Sequence, residues 1–268
     1  MFRRPLIDLF LRRNLTLTLV IAASAGALSL FLALLFPETD PAQSAAAYAN
    51  WPPVMKDLFG DPAGALSDVY GWLNLQVFHI TFWVMYGVLG SILATRIVAK
   101  EMEEKSVDIL LSLPVSRTEI IASRMVAASI LIALSIPPVI LGCGLGVAVL
   151  GQPLHAGLIT AAAVNGLALV LVMTSLTLLV SVFLPGQTTS LFTSLGLFAV
   201  MFLFSRVVIK LVPLLGPFAV LSPFHYYAPD GILVQRAINA LDPLVLLTIA
   251  ASLFFTALLV FKRKDILT

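Results

Sequence analysis

The chain has 268 residues, of which 60% are hydrophobic and only 11% are charged, and its formal net charge is +2. A soluble domain has about 25% charged residues, so this composition excludes an ordinary soluble enzyme, and the small net charge gives no indication of nucleic-acid binding. The single cysteine, Cys143, excludes an intrachain disulfide and a cysteine-based metal site.

The chain begins with a predicted amphipathic helix over residues 2–13. Its apolar and charged side chains fall on opposite helical faces: Phe2, Leu6, Leu9 and Phe10 on one, and Arg4, Asp8 and Arg12 on the other. This spacing is typical of an interfacial helix that lies flat at the lipid headgroups. We expect it to turn from there into the first membrane span.

Six apolar windows are long enough to cross a membrane, which takes about 20 residues. They are residues 15–36, 75–98, 126–150, 157–183, 188–208 and 243–261. We expect the first to be a retained span and not a cleaved signal peptide, because its apolar run exceeds the roughly 7–15 residues of a signal sequence. The sequence predicts an all-α integral membrane protein with six transmembrane helices, forming one domain over residues 1–268.

The basic residues predict the orientation of these spans. Twelve of the 16 lysines and arginines flank the N-terminus, the connection between the second and third spans, and the C-terminus. Because cytoplasmic loops are enriched in Lys and Arg, both termini are predicted to be cytoplasmic. An even number of spans agrees with this arrangement in a cell inner or plasma membrane.

Two segments are then external, residues 37–74 and 209–242. The second is too apolar for a solvated loop, which predicts two re-entrant half-helices. The first half-helix would end near Pro223, and the second would run from an N-cap at Asp230 to about Ala240. An aromatic belt is predicted from Phe218, Phe224, Tyr226 and Tyr227. A plain interfacial loop is the alternative.

Polar residues inside the spans are candidates for the substrate path. They are Gln76, Thr81, Asn165, Thr193 and Ser194. Packing between helices is the alternative role for such side chains. The Gly142-x-x-x-Gly146 motif predicts close helix packing, and Pro137-Pro138 predicts a kink in the third span. The three histidines do not cluster, so no metal site is predicted.

The strongly charged segment is the connection between the second and third spans. Its sequence from residue 100 to 119 is KEMEEKSVDILLSLPVSRTE. The first part favours a short helix with an exposed apolar patch, and Pro114 ends it. The Ser116-x-x-Glu119 pattern is a capping box that starts the third span. The sequence therefore predicts a cytoplasmic docking helix over residues 100–115.

This segment resembles the cytoplasmic signature of ABC-2-type transporter permeases. The matching residues are Glu101, Glu103, Leu110, Leu111, Ser112, Pro114, Val115, Ser116 and Arg117. Lys105 departs from it, since glycine is common at that position. The six spans, the Leu184 to Gln187 turn and the apolar fifth connection also resemble that family.

The resemblance implies that residues 100–115 form the coupling helix, which contacts a separate ATPase subunit. The ATPase-coupling residues would be Glu103, Glu104, Asp108, Leu110, Leu111, Pro114 and Arg117. Pro185 and Gly186, in the Leu184 to Gln187 turn, would be a second contact. Two copies of this chain, expected as a homodimer, would bind two ATPase subunits. The chain has no G-x-x-x-x-G-K-[ST] motif, so no ATP site is predicted in it. We expect no cofactor in this chain, and ATP with Mg²⁺ would bind the partner.

The leading function is thus an ABC exporter subunit for an apolar or amphipathic substrate, with no catalytic residues. The alternative is the permease of an ATP-driven maturation or mechanical complex acting on a periplasmic partner, similar to the one that serves nitrous-oxide reductase. The external segment 37–74 would then be the partner's contact. A secondary carrier is disfavoured, because no Asp, Glu, Lys or Arg lies in the middle of a span.

Overall fold

The computed structural model describes residues 4–36, 46, 51–52, 55–56, 68–99, 116–184 and 186–263. The elements formed by these residues are all helical. Six helical stretches are long and apolar enough to cross a membrane, numbered here as the first to sixth spans: Arg4–Leu34, Val69–Thr95, Thr118–Val149, Ala156–Phe183, Gln187–Leu211 and Leu241–Arg263. The six-span all-α prediction is confirmed. The predicted coupling helix and most of segment 37–74 lie outside the described residues.

Successive spans run in opposite directions, so their ends form two faces. The terminal face holds the start of the first span and the end of the sixth, and there the Arg96 guanidinium reaches the side chain of Asn14. The far face holds the opposite ends, and there the Trp72 indole donates to the Leu32 carbonyl. The connection 100–115 and the turn at Gly186 follow span ends on the terminal face.

The first span is one uninterrupted helix, Arg4–Leu34. The predicted break between a flat helix over 2–13 and the first span is therefore wrong. Thirty-one residues make a helix of roughly 46 Å, longer than the hydrocarbon core of about 30 Å, so its first turns extend beyond the core. No proline or glycine stands near residue 13 to interrupt it, and Phe10 and Asn14 are both buried against neighbouring spans.

The third span consists of two helices, Arg117–Ser135 and Pro137–Val149, that meet at Ile136. The two prolines lack the N–H groups that would bond to the carbonyls of Ala133 and Leu134. The neighbouring Ser135 carbonyl accepts a 2.7 Å hydrogen bond from the Tyr86 hydroxyl of the second span. The kink predicted at Pro137-Pro138 thus corresponds to a break between two helices, and the second span satisfies the Ser135 carbonyl beside that break.

The predicted close packing at Gly142-x-x-x-Gly146 is also confirmed. A Cβ atom on Gly142 would lie 2.2 Å from the Gly26 carbonyl oxygen of the first span, and one on Gly146 would lie 2.3 Å from the Cβ of Ala33. The first and third spans therefore touch backbone to backbone along a glycine seam, which we define by Gly26, Ala33, Gly142 and Gly146.

The second and fourth spans form the centre of the bundle. In each, 67% of the most apolar window is buried, against 17% in the fifth span and 22% in the sixth. The fourth span packs against the second, fifth and sixth. A hydrogen bond of 3.1 Å between the Ser91 and Thr177 hydroxyls joins the second span to the fourth. The exposed fifth and sixth spans are left to face lipid or another chain.

The far-face segment after the fifth span is made of short elements: the 3₁₀ helices Pro213–Leu221 and Pro223–His225 and the α-helix Pro229–Leu233. The predicted half-helix from Asp230 to Ala240 is therefore wrong in extent. Its N-cap is Ala228 and not Asp230, whose carboxylate is engaged in tertiary contacts. The predicted belt is also wrong for Phe224 and Tyr227, because both are buried in the core near Trp83 and Phe202.

Candidate functional site

Both ends of the connection 100–115 are anchored. At the C-terminal end of this connection, the third span starts with the predicted capping box, which the structure confirms. The Ser116 hydroxyl accepts from the Glu119 N–H at 3.2 Å, and the Glu119 carboxylate accepts from the Ser116 N–H at 3.3 Å. Because these two donors have no partner inside the helix, the capping box fixes where the third span begins.

Two arginines join the N-terminal end of this connection to neighbouring spans. Arg96, which follows the second span, donates to the Asn14 side-chain oxygen of the first span at 2.6 Å. Arg124, buried in the third span, donates to the Ile97 carbonyl at 3.0 Å. The start and the end of connection 100–115 are therefore tied to each other and to the first span.

The predicted coupling residues are only partly within the described chain. Glu103, Glu104, Asp108, Leu110, Leu111, Pro114 and Pro185 lie outside it. Arg117 is the first residue of the third span's helix. Gly186 has a φ of 114°, a conformation that favours glycine, and this allows the chain to reverse between the fourth and fifth spans.

The substrate-path candidates lie in different environments. The buried Asn165 amide makes two hydrogen bonds to the far-face segment. Its NH₂ group donates to the Tyr226 carbonyl (3.1 Å), and its oxygen accepts from the Ala228 N–H (3.2 Å). Ser194 is buried and bonds within its own helix, whereas Thr193 is exposed. Thr81 donates to the carbonyl of the half-buried Gln76. Among the described residues, no three of His, Cys, Asp and Glu are grouped as metal ligands.

A polar network on the far face was not predicted. The Asp230 carboxylate accepts from the Asn74 amide and lies 3.3 Å from the Arg206 guanidinium, which also donates to the Tyr227 carbonyl at 3.0 Å. Both partners of Asp230 lie on π-helical segments, Asn74–Phe78 and Phe204–Val208. These residues are far apart in the sequence. The only local indication of an ionic partner is that a charged residue, Arg206, stands in an otherwise apolar stretch.

An open groove of about 510 Å³ lies between the third, fourth and sixth spans. Its walls are almost entirely apolar and include Met125, Ile130, Leu171, Leu247 and Phe254. Of its two hydroxyls, that of Ser129 donates to the carbonyl of Met125 in its own helix. Such a surface suits an acyl chain or another apolar group better than an ion.

The bundle defines the class of protein, a multi-pass α-helical membrane protein whose anchored connection and tight turn share one face. A family model described as ABC-2 family transporter protein matches residues 15–266, so the chain belongs to the ABC-2 transporter family. Members are transmembrane subunits that are generally not catalytic, and membership implies an ABC ATPase partner and usually a dimer. A search of curated proteins finds no match to this chain.

Proposed function

We propose that this chain couples ATP hydrolysis by a separate ATPase to the export of an apolar or amphipathic substrate. The observation that carries the proposal is the anchoring of connection 100–115 by the Ser116–Glu119 capping box and by Arg96 and Arg124, in a chain of the ABC-2 family. A displacement of this connection would reach the first three spans directly, since each holds one of these contacts.

The loop residues suit a docking role. Leu110 and Leu111 would fill an apolar groove of the ATPase, while Glu103, Glu104, Asp108 and Arg117 would make ionic contacts around it. Pro114 ends the docking helix next to the capping box. The turn at Pro185 and Gly186 would be a second contact, because it follows a span end on the same face. ATP and Mg²⁺ would bind only the partner.

A second copy of this chain would pack against the fifth span. Thr189, Thr193 and Gly196 share an exposed face of this helix at i, i+4 and i+7. Within the described part of the chain, the Thr189 and Thr193 hydroxyls make no hydrogen bond, whereas the exposed Thr248, Ser252 and Thr256 of the sixth span each bond to a carbonyl four residues earlier. Unsatisfied hydroxyls are costly in lipid, which supports burial of this face in a homodimer.

The apolar substrate class is supported by the groove beside Met125 and Phe254. Thr193 would lie along the path between the two copies, with Gln76, Thr81 and Asn165 toward the far face, while the buried Ser194 would face the interior of its own copy. The orientation with both termini in the cytoplasm is supported by the distribution of lysine and arginine.

Co-purification from native membranes tests the central claim. Untagged partners captured with the detergent-solubilised chain should include an ABC ATPase, whose activity should drive movement of a lipid-like probe in liposomes. A captured periplasmic protein without such movement would favour the maturation complex instead. If no ATPase is captured and none stimulates transport, the proposed function is wrong.

Charge reversal in the loop tests the coupling residues. The double substitution Glu103→Lys and Glu104→Lys should lower transport per ATP hydrolysed about tenfold, because like charges would then face the ATPase surface. The matched control is Asp57→Lys with Asp61→Lys in segment 37–74, which should leave the ratio unchanged. Equal ratios in both double variants would contradict the assigned coupling role.

A further inference from the structure

One short segment of the far face, residues 226–230, is held by three spans at once. The fourth span holds it through Asn165, which bonds to the backbone on both sides of Tyr227. The second span holds it through the carbonyl of Phe78, which accepts a hydrogen bond from the Tyr227 hydroxyl. The fifth span holds it through Arg206, which donates to the Tyr227 carbonyl at 3.0 Å. Residues 226–230 therefore join the far ends of these three spans.

Asp230 gives this segment its charged contacts. Its carboxylate accepts from the Asn74 amide of the second span and lies 3.3 Å from the Arg206 guanidinium of the fifth span. Within the part of the chain that the structure describes, the buried Asn74 Oδ1 and Arg206 Nε atoms have no hydrogen-bond partner. Such atoms gain hydrogen bonds when they reach water, and this gain offsets part of the free energy of opening the network.

Both partners of Asp230 lie on π-helical segments near the far ends of their spans, Asn74–Phe78 and Phe204–Val208. Single π-helical turns inside α-helices are frequent at functional sites. Conversion of such a turn to α-helix moves the adjoining residues by one position, about 100° around the helix axis and about 1.5 Å along it. A shift of that size would carry the Asn74 or Arg206 side chain away from Asp230. The two spans therefore contain a defined way to break the network.

We propose that residues 226–230 form a latch that closes the far face between the second, fourth and fifth spans and opens when substrate leaves. Opening separates Asp230 from Asn74 and Arg206 and exposes residues of the second span beneath the latch. One of these is Val77, which lies on the π-helical segment and is 2% exposed in the closed arrangement. The inference rests on the proposed function, because export requires an exit on the face opposite the ATPase.

Cysteine labelling of the full chain, reconstituted with its ATPase in liposomes, tests the latch. The reporter is Val77→Cys, whose reaction with a membrane-impermeant maleimide is followed by peptide mass spectrometry. ATP turnover should raise the labelling rate. Without ATP, Arg206→Gln should raise it about tenfold, the effect of losing one charged hydrogen bond. Arg236→Gln is the matched control, since it removes an exposed contact to Asp68 on the same face and should change the rate by no more than about twofold.

The native Cys143 distinguishes opening of the latch from unfolding. It is completely buried in the far half of the third span and should stay unlabelled in every variant. If Arg206→Gln labels both cysteines equally, that variant unfolds and Tyr227→Phe decides the outcome. Tyr227→Phe keeps the buried ring, removes only the hydroxyl bond to Phe78 and should raise Val77→Cys labelling about fivefold. Equal labelling of both cysteines there as well would overturn the proposal.

Two further outcomes separate the latch from the proposed function. Unchanged labelling of Val77→Cys in both Arg206→Gln and Tyr227→Phe would overturn the latch, even if ATP drives transport. Faster labelling in these variants, but none during ATP turnover, would support the latch and contradict the proposed coupling to ATP hydrolysis.

Discussion

Gly142 lies where the backbones of the third and first spans touch. An alanine there would place its Cβ 2.2 Å from the Gly26 carbonyl oxygen, and a backbone atom cannot move aside without separating the helices. We expect Gly142→Ala to lower the free energy of unfolding by about 2 kcal/mol, the usual cost of overpacking. Thermal unfolding in detergent, followed by tryptophan fluorescence, measures the loss.

Gly144→Ala is the control for this substitution. Its Cβ would meet its nearest neighbour, the Leu154 Cδ1, at 3.8 Å, an ordinary van der Waals contact. The same helix would thus gain the same methyl group two residues away without a clash, and its stability should hold or rise slightly because alanine favours helices. Equal destabilisation by both alanines would show that the glycine seam has no special role.

On the far face, Arg206 of the fifth span joins that span to the helix Pro229–Leu233. We expect Arg206→Gln to cost about 2 kcal/mol of stability, because it leaves the partly buried Asp230 carboxylate without its cation and the Tyr227 carbonyl without its donor. The shift in the unfolding midpoint in detergent measures this cost, provided the variant and the wild type are compared at the same detergent concentration.

The matched control is Arg236→Gln. Arg236 lies 3.3 Å from Asp68, the same distance as in the Arg206–Asp230 pair, but its side chain is 56% exposed against 19% for Arg206. An exposed ion pair contributes at most about 1 kcal/mol, so the loss should be much smaller. Similar losses in the two variants would mean that burial does not set the strength of the Arg206 contact.

Local patterns in the sequence predicted the spans and their interruptions well. Helix length, Pro137-Pro138, the Gly142-x-x-x-Gly146 motif and the Ser116 cap each depend on neighbouring residues alone. The far-face network was missed because its residues are far apart in the chain: Asn74 and Asp230 are 156 positions apart. Aspartate is a favoured N-cap residue, but Pro229 suits the first helical position, so the helix is capped at Ala228 and the Asp230 side chain makes tertiary contacts instead.

The first helix was mispredicted for a related reason. Amphipathic spacing in residues 2–13 indicated lipid headgroups as the environment of its apolar face. Phe10 is instead buried in the protein core, and Asn14 meets Arg96. Hydrophobic periodicity reports that a face is covered, but both lipid and protein can cover it, and the sequence does not distinguish the two.

For the whole molecule, the proposed homodimer predicts a crosslink through the fifth span. With Thr193→Cys, oxidation in membranes should convert most of the chain to a disulfide-linked dimer on a non-reducing gel, because two-fold symmetry brings the same residue of both copies together. The native Cys143 needs no replacement, since it is completely buried.

The corresponding control is Leu259→Cys. Leu259 is 60% exposed on the sixth span, whose exposed hydroxyls are already satisfied within the helix. The Leu259→Cys variant should run as a monomer on the gel after the same oxidation. A dimer band from Leu259→Cys and none from Thr193→Cys would move the interface between copies to the sixth span.

The interruption at Ile136 gives the third span the mechanics of a lever with a fulcrum. The glycine seam clamps its far half, Pro137–Val149, to the first span, whereas its near half, Arg117–Ser135, carries the end of connection 100–115. Nineteen residues make an arm of roughly 28 Å, so a tilt of about 10° at Ile136 moves the capped end by about 5 Å. Under the proposed coupling, work done on the loop becomes rotation of this arm while the far half stays still.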